Sequence, residues 1–115
     1  MTRQKDDFYP TPFVAIEALL DHETFDGDIW EPACGDGAIS APVSLYHNVI
    51  STDLNDYGFG ESGIDFLMEQ NLAAPNIITN PPYKLAQQFI QKAINLGAKK
   101  HCWLLRLSFL EGQQR

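Results

Sequence analysis

Asn80-Pro81-Pro82-Tyr83 is the stretch of this chain whose side chains are best suited to act on a ligand. Asn80 offers a side-chain oxygen that accepts a hydrogen bond from an amino group, and Tyr83 a ring that stacks on the planar system carrying that group. The prolines between them lack N–H donors and fix φ, so neither strand nor helix continues through. Ile77 and Ile78, just upstream, form a short β-branched run that reads as a buried strand. The tetrapeptide is therefore a stiff turn at a strand's carboxyl end, where open α/β sheets place their ligand crevice.

A second group lies upstream. Glu31-Pro32-Ala33-Cys34-Gly35-Asp36-Gly37 follows a strand expected over 28–31. Small residues there let the backbone approach a ligand, and glycine permits positive φ. The G-x-G-x-x-G fingerprint is only half present, because Ser40 stands where its third glycine would be. Asp53 closes a second strand expected over 49–54, 18 residues after Gly35. In Rossmann-like folds an acidic residue at about that distance accepts from the ribose hydroxyls.

The elements that must hold these residues alternate between strand and helix. Thr11 suits an N-cap and Pro12 a first helical position, with Phe13, Ile16, Leu19 and Leu20 at helical spacing, which predicts a helix over 12–21. Pro42 limits the helix after the glycine turn to a start near Ala41 and a body through Tyr46. Residues 55–63 carry Gly58, Gly60 and Gly63 and leave any third strand short. After the fourth strand, Leu85, Phe89, Ala93 and Leu96, widened by Ile90 and Ile94, predict a helix over 84–96 with Gly97 as C-cap. A fifth strand is expected over 101–107, and a helix begins at Ser108. The pattern implies an α/β fold, a Rossmann-like doubly wound and mainly parallel sheet, in a single domain over 1–115.

The 115 residues suffice for one core, and 44% hydrophobic with 20% charged residues is an ordinary globular balance. No apolar run has the length of a membrane span, and residues 1–7 lack the apolar stretch of a signal peptide. Cys34 and Cys102 form no C-x-x-C pair, so reduced thiols in a cytoplasmic protein are expected. The three histidines are scattered without ligand spacing, and no metal site is predicted. A net charge of −7, from 8 basic against 15 acidic residues, opposes nucleic-acid binding by this chain alone. Either a basic surface lies elsewhere, or the substrate is not a long nucleic acid.

Asn80-Pro81-Pro82-Tyr83 resembles motif IV of the amino-methyltransferases that use S-adenosylmethionine, and Glu31-Pro32-Ala33-Cys34-Gly35-Asp36-Gly37 resembles motif I of class I methyltransferases. Tyr9-Pro10-Thr11-Pro12 is similar to their motif X, and Asp65-Phe66-Leu67 to motif III. The motifs stand in the order of the N6-adenine enzymes that have no insertion between I and IV. The resemblance implies S-adenosyl-L-methionine as cofactor and a strand order of 3-2-1-4-5. It implies that the glycines, with Ala33 and Cys34, wrap the cofactor, that Glu31 faces its amino acid part, and that Thr11 helps bind its methionine end. Asp53 would take the ribose, Asp65 the adenine amino group, and Phe66 would pack on the adenine ring. Asn80, Pro81, Pro82 and Tyr83 would hold the acceptor. The last two strands of a seven-stranded methyltransferase sheet and a target-recognition segment are expected beyond Arg115, making this a truncated class I methyltransferase fold.

Such a site supplies position and polarity rather than a strong base. Acceptors at Asn80 and the Pro81 carbonyl would draw the N–H bonds of an adenine amino group out of plane, and a base in duplex DNA would first be extruded. Adenine N6 in DNA is the first expectation, through a basic recognition part that is missing or separate. Methylation of RNA or of a protein glutamine is a second. A non-catalytic module that binds the cofactor, or a partner chain that completes the fold, is a third.

Overall fold

A computed structural model of the protein describes residues 11–105. Four strands, β1 (Ile29–Glu31), β2 (Val49–Ser51), β3 (Asn76–Thr79) and β4 (Lys100–Trp103), form one sheet in the order β2-β1-β3-β4. Every pairing is parallel, with Trp30 beside both Ile50 and Ile77, and Ile78 beside Cys102. Side chains alternate along each strand, so one face of the sheet carries Ile29, Val49, Ile78 and Cys102 and the other Trp30, Ile50, Ile77 and Trp103.

Helices cover both faces, as expected for a doubly wound fold. On the first face α1 (Phe13–His22) and α2 (Ser40–Val43) bury Ile16, Ile39 and Val43. On the second, α3 (Ala86–Leu96) and a 3-10 turn (Phe66–Met68) bury Phe89, Ala93 and Phe66. Phe66 meets Trp30 edge-on at 5.1 Å between ring centroids and lies tilted against Phe89 at 4.9 Å, which makes an aromatic core under the sheet's carboxyl end.

The architecture is that expected, and the third strand is where it differs. In place of a strand, Thr52 and Glu61 make a single parallel bridge, with Asp53 N bonded to the Glu61 carbonyl at 3.0 Å and Glu61 N to the Ser51 carbonyl at 2.9 Å. Gly58, Gly60 and Gly63 all hold positive φ, away from the extended backbone of a regular strand. The expected order 3-2-1-4-5 therefore becomes 2-1-4-5, with a glycine-rich loop at the edge. β2 is correspondingly shorter than 49–54.

Several ends also shift. The first helix starts at Phe13, one residue later than expected, with Pro12 in the cap position. α2 begins at Ser40 and takes Pro42 into its first turn, where the missing N–H costs nothing, then ends at Val43 rather than Tyr46. The helix expected over 84–96 is a 3-10 turn (Tyr83–Leu85) followed by α3, and Gly97 caps it at φ 86°. Ile94, read as part of the apolar stripe, is exposed. The last strand ends at Trp103, although Leu104 N still bonds the Thr79 carbonyl at 3.0 Å. Tyr9, Arg106-Leu107 and the helix expected from Ser108 lie outside the described residues.

Candidate functional site

β1 and β3 are neighbours in the sheet, yet the chain leaves them toward opposite faces, β1 into α2 and β3 into α3. The turns after their carboxyl ends therefore part, and a cleft of about 370 Å³ lies between them. That volume is in the range of small-molecule sites. Thr11, Glu31, Ala33, Cys34, Asp53, Asp65, Phe66, Asn80 and Pro82 line it, so residues spread over seventy positions of sequence meet in one place.

Asp53 fastens the two loops of one wall. Its Oδ2 accepts from Gly35 N at 2.9 Å and its Oδ1 from Asn55 N at 2.8 Å, while the side chain still lines the cleft at 8% exposure. Each carboxylate oxygen keeps a second lone pair for a ligand donor. Cys34 N and Gly37 N close the turn on the Thr52 and Cys34 carbonyls, both at 2.9 Å.

Gly35 and Gly37 are not among the cleft-lining residues; they shape the turn from behind. Gly37 holds φ 93°, and a Cβ there would stand 2.7 Å from the ring of Phe59. The loop that replaces the third strand thus packs its aromatic residue against the glycine turn. Sequence reasoning passed over Phe59, because a single aromatic in a glycine-rich loop has no period to mark it. The same loop brings Asn55 and Tyr57 to the cleft.

Glu31 lies at the cleft floor, 2% exposed. Ser40 Oγ donates to its Oε1 at 2.5 Å, Thr79 Oγ1 to its Oε2 at 3.1 Å, and Ser51 Oγ donates in turn to Ser40 Oγ at 2.7 Å. Burial pushes the Glu31 carboxyl up to about 8, and the charge of Asp53 adds to this while the hydroxyls oppose it. Burial thus favours the protonated acid over the carboxylate at this position. Cys34 is pushed up to about 12 by burial and by the nearby Glu31 and Asp53 carboxyls, so it is a thiol and no nucleophile.

Asp65 Oδ1 accepts from Leu67 N at 3.0 Å, which starts the 3-10 turn and leaves its carboxylate at the cleft wall. Phe66, 1% exposed, is a core residue whose surface forms part of the floor. On the opposite wall Asn80 Nδ2 donates to Thr11 Oγ1 at 3.1 Å. Pro82 lines the cleft, Pro81 is buried behind it, and Tyr83, 37% exposed, opens the 3-10 turn outside the lining. Three aspartates, Asp36, Asp53 and Asp65, face one lysine, Lys84, among the described lining residues, with Glu31 buried at the floor. Such a cleft suits a ligand that carries positive charge, hydroxyl donors and a flat ring.

No protein-family model matches the chain, and no curated protein matches it. Six solved chains do. Among them is the crystal structure of Thermoplasma acidophilum 1320, with a TM-score of 0.59 and 16% identity over 88% of this chain. That likeness is one of fold, and the chain spans about 62% of that protein's length. Among the described residues no helix is long and apolar enough to cross a membrane, and no group of histidine, cysteine and acidic side chains could hold a metal ion.

Proposed function

We propose that the cleft binds S-adenosylmethionine and that the chain is the catalytic core of a methyltransferase acting on an exocyclic amino group, adenine N6 in DNA. The observation that carries this reading is the meeting of two sequence groups across one cleft, the glycine turn with Asp53 on one wall and Asn80 with Pro82 on the other. The donor set fits the cofactor. Asp53 has lone pairs for a ribose diol, and a wall of carboxyl groups favours a sulfonium and an ammonium. Bound there, S-adenosylmethionine supplies a methyl group on a sulfur leaving group.

The chain's own part is to bind and orient. Asn80 Oδ1 and the Pro81 carbonyl accept the N–H bonds of the acceptor amine, favouring a tetrahedral nitrogen whose lone pair faces the methyl group. Tyr83 stacks on the acceptor ring. The departing proton leaves to solvent, and no strong base is needed.

The charge balance favours one other acceptor, a protein side-chain amide, which needs no phosphate contacts. The experiment is calorimetric titration of the 115-residue chain with S-adenosylmethionine, paired with thermal unfolding. At a hundredfold excess over Kd the ligand stabilises the fold by roughly 2.7 kcal/mol. Asp53→Asn weakens binding, and Asn80→Ala abolishes transfer while binding persists. A folded chain that leaves the cofactor unbound sinks the reading. Transfer that survives Asn80→Ala sinks the assignment of the acceptor site.

A further inference from the structure

The loop over 55–63, which stands where a third strand was expected, leaves and re-enters the fold at one residue. Asn55 N donates to Asp53 Oδ1 at 2.8 Å on the way out. On the way back Asp53 N donates to the Glu61 carbonyl at 3.0 Å and Ile64 N to the Asp53 carbonyl at 3.1 Å. The feet of the loop are fixed, and its tip has to be held elsewhere. Phe59, between Gly58 and Gly60 at positive φ, makes that contact. The three atoms nearest to where a Cβ at Gly37 would stand all belong to its ring, the closest at 2.7 Å. Beside it the Cys34 thiol donates to the Phe59 carbonyl at 3.5 Å, and a Cβ at Gly60 would stand 2.9 Å from Cys34 Sγ.

The glycine turn needs such a hold. Gly35 and Gly37, at φ 54° and 93°, have no side chains with which to fix their backbone. Asp53 Oδ2 ties the turn at Gly35 N, and the Phe59 ring covers its other glycine. The foot and the outgoing arm of the loop bring Leu54, Asn55 and Tyr57 to the cleft. Turn, Asp53 and loop therefore form one wall, and the contact of Phe59 with Gly37 closes it on itself.

We propose that Phe59 is a positioning residue, a latch that clasps the 55–63 loop to the glycine turn and keeps this wall formed before a ligand arrives. Naming that ligand S-adenosylmethionine rests on the methyltransferase reading above. Phe59 is not among the cleft-lining residues, so it acts through Gly37 and Asp53 rather than by touching the ligand. Without the ring the wall is ordered only at binding, and affinity falls by the fraction of molecules in which it stands ready.

The test compares the full chain with Phe59→Ala, which removes the ring, and Phe59→Tyr, which keeps its flat face. The Kd for S-adenosylmethionine is taken by calorimetry well below each unfolding temperature, where a merely structural loss lowers the melting point and leaves Kd unmoved. Phe59→Ala weakens binding roughly tenfold, as a ready fraction of about one-tenth requires, and Phe59→Tyr stays within about twofold of wild type. A folded Phe59→Ala chain with the wild-type Kd overturns the proposal.

A second readout needs no cofactor: labelling of Cys34, 4% exposed against the loop, by a small thiol reagent, with the labelled site read by peptide mass. Local opening exposes little surface, so wild-type labelling hardly changes in low urea, and Phe59→Ala speeds it roughly tenfold while the dependence on urea stays shallow. Equal rates in the two chains, or rates that follow the full unfolding slope in both, overturn the proposal. Should Phe59→Ala not fold, Phe59→Leu makes the same comparison with a smaller gain in rate. A chain that leaves the cofactor unbound while Phe59 still guards Cys34 overturns the methyltransferase reading and upholds the latch.

Discussion

Replacing Glu31 with glutamine removes an ionisation that the fold works against. In the unfolded chain this carboxyl titrates near its ordinary 4.5, and in the folded protein burial holds it at about 8. Between those values the folded state keeps a proton that the unfolded state has lost, so stability falls as pH rises from about 5 to about 8. At 1.36 kcal/mol per pH unit the loss across that window is on the order of 4–5 kcal/mol, a large share of a small domain's stability. Glu31→Gln has no proton to lose. Its amide still offers an oxygen to Ser40 Oγ, while its NH2 can donate to Thr79 Oγ1, so the buried network survives in altered form.

The assay is urea unfolding of wild type and variant at half-unit intervals from pH 5 to 8.5. The difference between the two curves isolates Glu31. Glu23, whose carboxyl is held below its ordinary value by the Lys100 ammonium bonded to it, titrates below the window, and Cys34 above it. The expected result is a wild-type stability that declines steeply with pH and a variant curve flatter by most of that decline. Parallel curves would refute the reasoning, because they would mean that Glu31 is ionised in the folded state at pH 7.

Two further substitutions probe the walls of the cleft. Gly37→Ala meets the Phe59 ring and a positive φ together and costs roughly 1–3 kcal/mol, measured by thermal unfolding; a neutral result would show that Phe59 can swing away freely. Phe66→Ala removes the ring between Trp30 and Phe89 and costs roughly 3–5 kcal/mol by urea unfolding; a cost under about 1 kcal/mol would place Phe66 outside the core.

The two central strands were legible because β1 and β3 are short apolar runs, buried throughout and closed by a turn signal, while the strand order came from the resemblance. Ile77-Ile78 before two prolines is the clearest case. The cleft was legible too, in that Gly35, Asp53 and Asn80 could be placed at strand ends without knowing any contact. The loop over 55–63 was not, because its order comes from glycines at positive φ and from one long-range packing contact, Phe59 on Gly37, neither of which has a period. Glu31 was found for a different reason from the one that now distinguishes it. The resemblance marked it, at the end of the first strand, as facing the cofactor, but its buried network depends on Ser40, Ser51 and Thr79 arriving from three other elements. Thr11 was misread as a cap because local sequence cannot reveal a partner 69 residues away.

Charge is distributed along the strands as unevenly as the chemistry. At the amino ends Lys99 and Lys100 pair with Asp26 and Glu23, at 3.2 and 2.7 Å, away from the cleft. At the carboxyl ends Asp36, Asp53 and Asp65 gather with Glu31 around one lysine. The described residues hold two more lysines, Lys84 in the cleft lining and Lys92, and the acidic groups around them work against phosphate, so a net of about two phosphate contacts is expected. The logarithm of DNA affinity against the logarithm of salt concentration then has a slope no steeper than roughly −2 for residues 11–105. Filter binding of the chain to duplex DNA between low and moderate salt measures this. A slope near −2 or shallower means that productive encounter with DNA requires cations from another segment or a basic partner. A slope of about −5 or steeper would refute that argument, since the chain would then make many phosphate contacts without a basic partner, against its excess of 15 acidic over 8 basic residues.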